Sequence, residues 1–317
     1  MHISRRHFLK APVLAGVAAQ ALATVPDPRT GIPTRILGRT GVRIPILLMG
    51  GGSRFLKYGT PDAGAAALNR AFDLGVNYID TGHIYGNGTS EEWVGAVLQT
   101  RRKEAFLASK VFERDGDKAM LIVEAALKRL RTDHFDLLNI QGVEDSRDLE
   151  RIEAPGGVLN AFLKLRDQKV ARFLGITSHY GASTLAQALE RHDFDVTQMA
   201  LNAAKTGWVK TADTSCFEDT ALPVALRKKM GVIAMKVFAQ DRLLSHAPLE
   251  KLLYYAWSLP ISAAVVGMPK LEMLEANVAL AKAFRPLPKE EMRRLSEEVS
   301  SKNKLALDTF FRDHVDA

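Results

Sequence analysis

From residue 44 onward, short runs of β-branched and apolar residues alternate with longer segments whose apolar positions recur at helical spacing. The short runs are IPILLMG (44–50), VNYID (76–80), AFLASK (105–110), FDLLNIQ (135–141), RFLGITS (172–178), VTQMALN (196–202), GVIAMKVF (231–238) and ISAAVVG (261–267). Each is nearly continuous in apolar character, as expected of parallel strands covered on both faces. The segments between them run to roughly 10–15 residues, the length of short helices. In the third of these, Ala119, Ile122, Val123, Ala126, Leu127 and Leu130 share one face at i, i+3, i+4 spacing. Thr60-Pro61-Asp62, Ser90-Glu91-Glu92 and Ser183-Thr184 read as helix starts.

Eight β-α units in about 240 residues predict a (β/α)8 TIM barrel. A doubly wound sheet is the alternative, but its usual GxGxxG after the first strand is replaced here by Met49-Gly50-Gly51-Gly52-Ser53. Ahead of the first strand, TRILGRTGVRI (34–44) contains a turn at Arg39-Thr40-Gly41 and predicts an N-terminal hairpin. After the eighth helix, LPKEEMRRLSEEVSSKNK (287–304) is polar and helical and predicts an outer C-terminal cap. No composition break divides residues 34–317, so the barrel is expected as one domain.

The first 23 residues are of different character. SRRHFLK (4–10) leads into the Ala-rich APVLAGVAAQALA (11–23), which ends in an Ala21-Leu22-Ala23 cleavage pattern. Arg5-Arg6 followed by Phe8-Leu9-Lys10 resembles a twin-arginine signal, which implies the twin-arginine export machinery as a partner and a periplasmic or exported destination. Residues 24–33 then read as a linker. No window reaches the roughly 20 apolar residues of a membrane span, so no stable membrane anchor is expected.

The chain has 317 residues, 47% of them hydrophobic and 25% charged, enough to bury a large core. A formal net charge of +7 shrinks once Arg5, Arg6 and Lys10 leave with the signal, and the remaining excess forms no long basic block. Nucleic acid is therefore not expected as a partner. The single cysteine, Cys216, excludes an internal disulfide and a CxxC metal site.

Chemistry in a TIM barrel sits at the C-terminal strand ends. Read in order, those ends carry Asp80, Lys110, Gln141, Ser178-His179, Gln198 with Asn202, Lys236 and Gly267. An isolated acid at one strand end is most simply a cap; polar groups at strand after strand, where burial is costly, point to a site. Tyr85 follows Asp80 by five residues. Asp80 is suited to hold Lys110 charged, and that ammonium favours the phenolate of Tyr85, making the phenol a general acid toward a carbonyl oxygen.

These motifs resemble the aldo-keto reductases over nearly all of residues 34–285. RILGRTGVRIP is similar to their hairpin, NYIDTGHIYGNGTSEEWVG to their most specific signature, and FLASK to their lysine strand. GVIAMKVF and VVGMPKLEMLEANV are similar to their cofactor-phosphate region. The resemblance implies metal-free reduction of a small aldehyde or ketone by a nicotinamide cofactor. NADP is expected, with NAD left open. By position, Asp80, Tyr85 and Lys110 match three members of the family's catalytic tetrad. Thr177 and Ser178 match the pair that binds the carboxamide, with Gln198 beside them. Lys236, Gly267, Met268, Lys270 and Asn277 match pyrophosphate and adenosine contacts, with Lys270 the nearest cation for a 2′-phosphate. Met235 replaces the usual stacking aromatic.

The fourth tetrad place departs from the family: DLLNIQ puts Gln141 where a histidine is usual, and glutamine donates hydrogen bonds without titrating. His83 and His179 are the candidates to compensate, with His179 expected in the substrate pocket. The loops over 142–157 and 203–217, with Trp208 and Phe217, are expected to shape it. A nicotinamide-binding redox partner or sensor with little turnover is the alternative function.

Overall fold

The computed structural model describes residues 23–206, 213 and 215–312. The export signal expected over 1–23 lies outside them apart from Ala23, and so does Trp208. Three short strands come first: β1 (Val25–Pro26), β2 (Pro33–Ile36) and β3 (Arg43–Pro45). All eight expected barrel strands follow: β4 (Leu47–Gly50), β5 (Tyr78–Asp80), β6 (Phe106–Val111), β7 (Phe135–Ile140), β8 (Ala171–Ser178), β9 (Val196–Ala200), β10 (Gly231–Met235) and β11 (Ala263–Val266). They pair in parallel in sequence order, and β11 pairs with β4 to close the barrel.

Two apolar layers hold this arrangement. Inside, Leu48, Tyr78, Phe106, Ala108, Leu137, Val196, Ile233 and Ala263 fill the lumen. The Tyr78 and Phe106 rings stack there at 4.7 Å. The outward-facing strand residues pack on the helical shell, as the predicted face shows: Ala119, Val123, Ala126 and Leu130 are buried, with Ile122 and Leu127 against them. Thr60 caps the helix Pro61–Asp73 by accepting from the Ala63 amide, as its sequence predicts.

The other two helix starts differ. The helix Thr89–Arg101 begins after Gly88 in a left-handed conformation. Ser90 and Glu91 turn inward instead of capping: Ser90 Oγ donates to the Gly51 carbonyl, and Glu91 pairs with Arg129 at 2.7 Å. The helix Ala182–Arg191 is capped from a distance, since the Ser183 amide donates to Asp213.

The hairpin forms as expected, β2 antiparallel to β3, and plugs the N-terminal end of the barrel with Leu37 and Ile44. Residues 24–33 are not the expected linker, because β1 adds a third strand, Val25 facing Thr34 and Pro26 facing Pro33. Buried Arg35 ties the hairpin to the shell by donating to the carbonyls of Trp257 and Ile261. Burial pushes this guanidinium down to about 10. The cap expected over 287–304 is the helix Lys289–Arg312, with Leu295, Val299 and Leu307 buried.

Gly38 has φ +50, and a Cβ there would lie 2.1 Å from the Gly231 nitrogen. Gly38→Ala must push the plug off β10, so a loss of roughly 3 kcal/mol is expected. Denaturant unfolding reads this as a lowered midpoint at unchanged slope.

Candidate active site

Asp80 ends β5, where it pairs in register with Ala108 of β6. Lys110 lies two residues further along β6, so it projects from the same face one layer higher. The two side chains meet at 2.9 Å between Asp80 Oδ1 and Lys110 Nζ, with both residues at most 4% exposed. Lys110 Nζ also donates to the Thr81 carbonyl at 2.8 Å. Thr81 is braced in turn by a 2.8 Å hydroxyl contact with Ser90. The turn over residues 81–88 carries Tyr85 back over this pair, placing Lys110 Nζ 4.9 Å from the centre of the phenol ring. The ring also lies against Gly52. The expected trio is therefore assembled.

Around it, Gln198 Nε2 donates to Asp80 Oδ2 at 3.2 Å and lies 3.7 Å from Met235 Sδ. Gln141 follows β7 directly and is buried, its amide donating to the Val111 carbonyl. His83 Nδ1 lies 3.1 Å from the Lys110 carbonyl oxygen. Because a carbonyl only accepts, Nδ1 is the donor in this contact. Tyr78 offers no second acid. Burial, then Asp80 and Asp136, push its phenol well up.

A cleft of about 120 Å³ opens above the trio, lined by Asp80, Tyr85, His179, Gln198 and Met235 and extending to Lys236 and Gly267. His179 is thus one wall of this cleft. Lys236 takes a left-handed conformation, φ +58, where β10 leaves the barrel. Met268 is buried, and Lys270 is exposed immediately before the helix Leu271–Ala283, on which Asn277 is buried. Phe217 packs into the outer core.

Thr177 and Ser178 are buried at the end of β8 and tie the rim together. Thr177 Oγ1 accepts from the Gly142 amide, while Ser178 Oγ donates to the Val143 carbonyl and accepts from the Tyr180 amide. Their hydroxyls hold the loop after β7 to the end of β8. The sequence reading also missed Arg54 and Asp241, which line the cleft and form an ion pair beside it. Lying 187 positions apart, they carry no local signal of their pairing. The left-handed run Ala239, Gln240, Asp241 brings the acid there.

A closed parallel barrel with a buried acid–lysine pair under a tyrosine on its C-terminal rim defines an α/β-barrel enzyme. Comparison with known proteins makes this specific. Residues 47–251 match the Aldo/keto reductase family. The uncharacterized oxidoreductase YqkF of Bacillus subtilis is 30% identical over 269 residues, which cover 72% of this chain and 85% of that one. L-galactose dehydrogenase of Arabidopsis thaliana is 26% identical over 291 residues, covering 79% and 88%. The aldo-keto reductase of Klebsiella pneumoniae in complex with NADPH superposes with a TM-score of 0.67 at 22% identity, covering 84% and 94%, and shares the fold. The chain belongs to the aldo/keto reductase family and is an NAD(P)-dependent oxidoreductase.

Proposed function

We propose that the protein reduces the aldehyde or ketone group of a small molecule, with Tyr85 as general acid and NADPH as the preferred reductant. The observation that carries this reading is the buried Asp80–Lys110 pair beneath the Tyr85 ring. In a site screened from water, the Lys110 charge favours negative charge developing on the Tyr85 oxygen as its proton passes to the carbonyl oxygen. Asp80 pairs with Lys110 at 2.9 Å, and Gln198 holds Asp80 by its second oxygen. The nicotinamide, when bound, supplies the hydride to the carbonyl carbon.

Residues on the β8–β11 side of the cleft fit that cofactor. Gln198 Oε1 and Asn277 Nδ2 are buried with no hydrogen-bond partner among the described residues. Such orphaned amide atoms suit the carboxamide and adenine ends of a dinucleotide. Met235 offers a polarizable face to the ring. Gln141, whose Oε1 is also buried without a partner among the described residues, can donate to the substrate oxygen without titrating. Small polyhydroxy carbonyl compounds suit the cleft, which presents His179, Gln198 and Asp80, and one relative is named for a sugar. Export through the twin-arginine route, from the motif over residues 4–23, belongs to the same reading.

The test is oxidation of NADPH and of NADH by the purified protein across a panel of hydroxy-aldehydes and ketones. Turnover preferring NADPH is expected. Tight nicotinamide binding with no turnover on any carbonyl would instead favour a redox partner or sensor, the reading suggested by Gln141. With Lys270 as the cation for the 2′-phosphate, Lys270→Ala should raise the NADPH KM about tenfold and leave the NADH KM unchanged, the value of one charge-assisted contact. Equal shifts for both cofactors would remove Lys270 from that role.

A further inference from the structure

We propose that Arg114, two residues beyond the rim at Phe112, is a positioning residue that sets Gln141 against the catalytic trio. The inference rests on the reductase reading above. Arg114 is 5% exposed and its guanidinium is the centre around which the loop after β7 is built. Nε donates to Asp148 Oδ1 at 2.8 Å, and Nη2 to Asp148 Oδ2 at 2.7 Å and to the Gly142 carbonyl at 3.0 Å. The same Asp148 oxygen accepts from the Glu144 amide at 3.1 Å. The residue bonded by its carbonyl to Arg114 is therefore the immediate neighbour of Gln141.

That neighbour is constrained from every side. Gly142 has φ +66, which other residues adopt at a cost, and a Cβ there would lie 3.2 Å from the Phe112 ring. Its amide donates to Thr177 Oγ1 at 2.9 Å. Phe112, a large apolar residue left 44% exposed at the rim, lies with its ring centre 4.9 Å from the Arg114 guanidinium. One buried cation thus ties together the loops after β6 and β7, where the Gln141 backbone amide donates to the carbonyl of Val111, the neighbour of Lys110. A bidentate guanidinium–carboxylate pair fixes orientation as well as distance, which a loop held by backbone contacts alone lacks. Gln141 is buried, and its side-chain oxygen has no hydrogen-bond partner among the described residues. Its usefulness as a donor depends on where the backbone carries it.

The experiment compares Arg114→Gln with the wild type, in the native background and in Gln141→Ala. Loss of kcat on the order of ten- to hundredfold is expected in the native background, as for a displaced reacting group. The NADPH Kd, read by nicotinamide fluorescence, should not change. In Gln141→Ala the same substitution should cost no further kcat, while its effect on the melting temperature is the same in both backgrounds. Asp148→Asn should act in the same direction and serves as the second variant if Arg114→Gln fails to fold. A lowered melting temperature with unchanged kcat overturns the inference, as does an equal kcat loss with Gln141 already removed. Either result with an active wild type leaves the reductase reading standing. A wild type that turns over no carbonyl overturns both.

Discussion

Tyr85→Phe is expected to abolish carbonyl reduction while leaving nicotinamide binding intact. The substitution deletes one hydroxyl and keeps the ring that packs against Gly52 and lies near Lys110. Stability should therefore change little. A positioned general acid contributes on the order of 10²–10⁴-fold, and with Gln141 unable to titrate no neighbour on β7 can take over the proton. The whole of that factor should fall on kcat, since the phenol proton matters in the transition state more than in the bound ground state. Single-turnover kinetics with prebound NADPH read the chemical step directly. Retention of more than a tenth of the wild-type rate would place the acid elsewhere, with His83, on the same turn as Tyr85, the first residue to examine.

Breaking the Asp80–Lys110 pair should be costly in two separable ways. Lys110→Met leaves the Asp80 carboxylate buried with Gln198 Nε2 as its remaining side-chain donor among the described residues. Removing one member of a buried pair typically costs ~3–5 kcal/mol, because the other charge stays behind without solvent. Asp80→Asn should cost less, since Lys110 keeps the Thr81 carbonyl. Replacing both, as Asp80→Leu with Lys110→Met, should recover much of the stability, because a well-packed apolar pair avoids the desolvation of two charges. It should recover none of the activity, since the charge that favours the Tyr85 phenolate is gone. Denaturant midpoints and kcat for the three variants test this together. Parallel recovery of stability and turnover in the double variant would show that the pair serves folding alone.

Much of the site was legible along the chain, and particular residues show why. Asp80 and Lys110 each end an apolar run, and the barrel hypothesis places every such end on one rim. Tyr85 followed from its distance to Asp80. Ser90-Glu91-Glu92 marked the start of the helix Thr89–Arg101, yet a serine and two acids there also look like a cap from local sequence. Burial opposite Arg129, 38 residues away, decides otherwise. Thr177 and Ser178 end β8 as expected, and their contacts with Gly142 and Val143 of the loop after β7 had no local signal in the sequence.

The sequence by itself determined the barrel, its hairpin plug, the positions of its polar strand ends and the departure at Gln141. These depend on the period of apolar residues and on what terminates each run, both properties of neighbouring positions. Only the tertiary structure decided which polar groups meet. The Asp80–Lys110 distance, the Arg54–Asp241 pair and the Arg114 contacts with Asp148 and Gly142 all depend on strand register and barrel closure. A buried charge takes the partner that closure brings within reach, and separation along the chain does not constrain that choice.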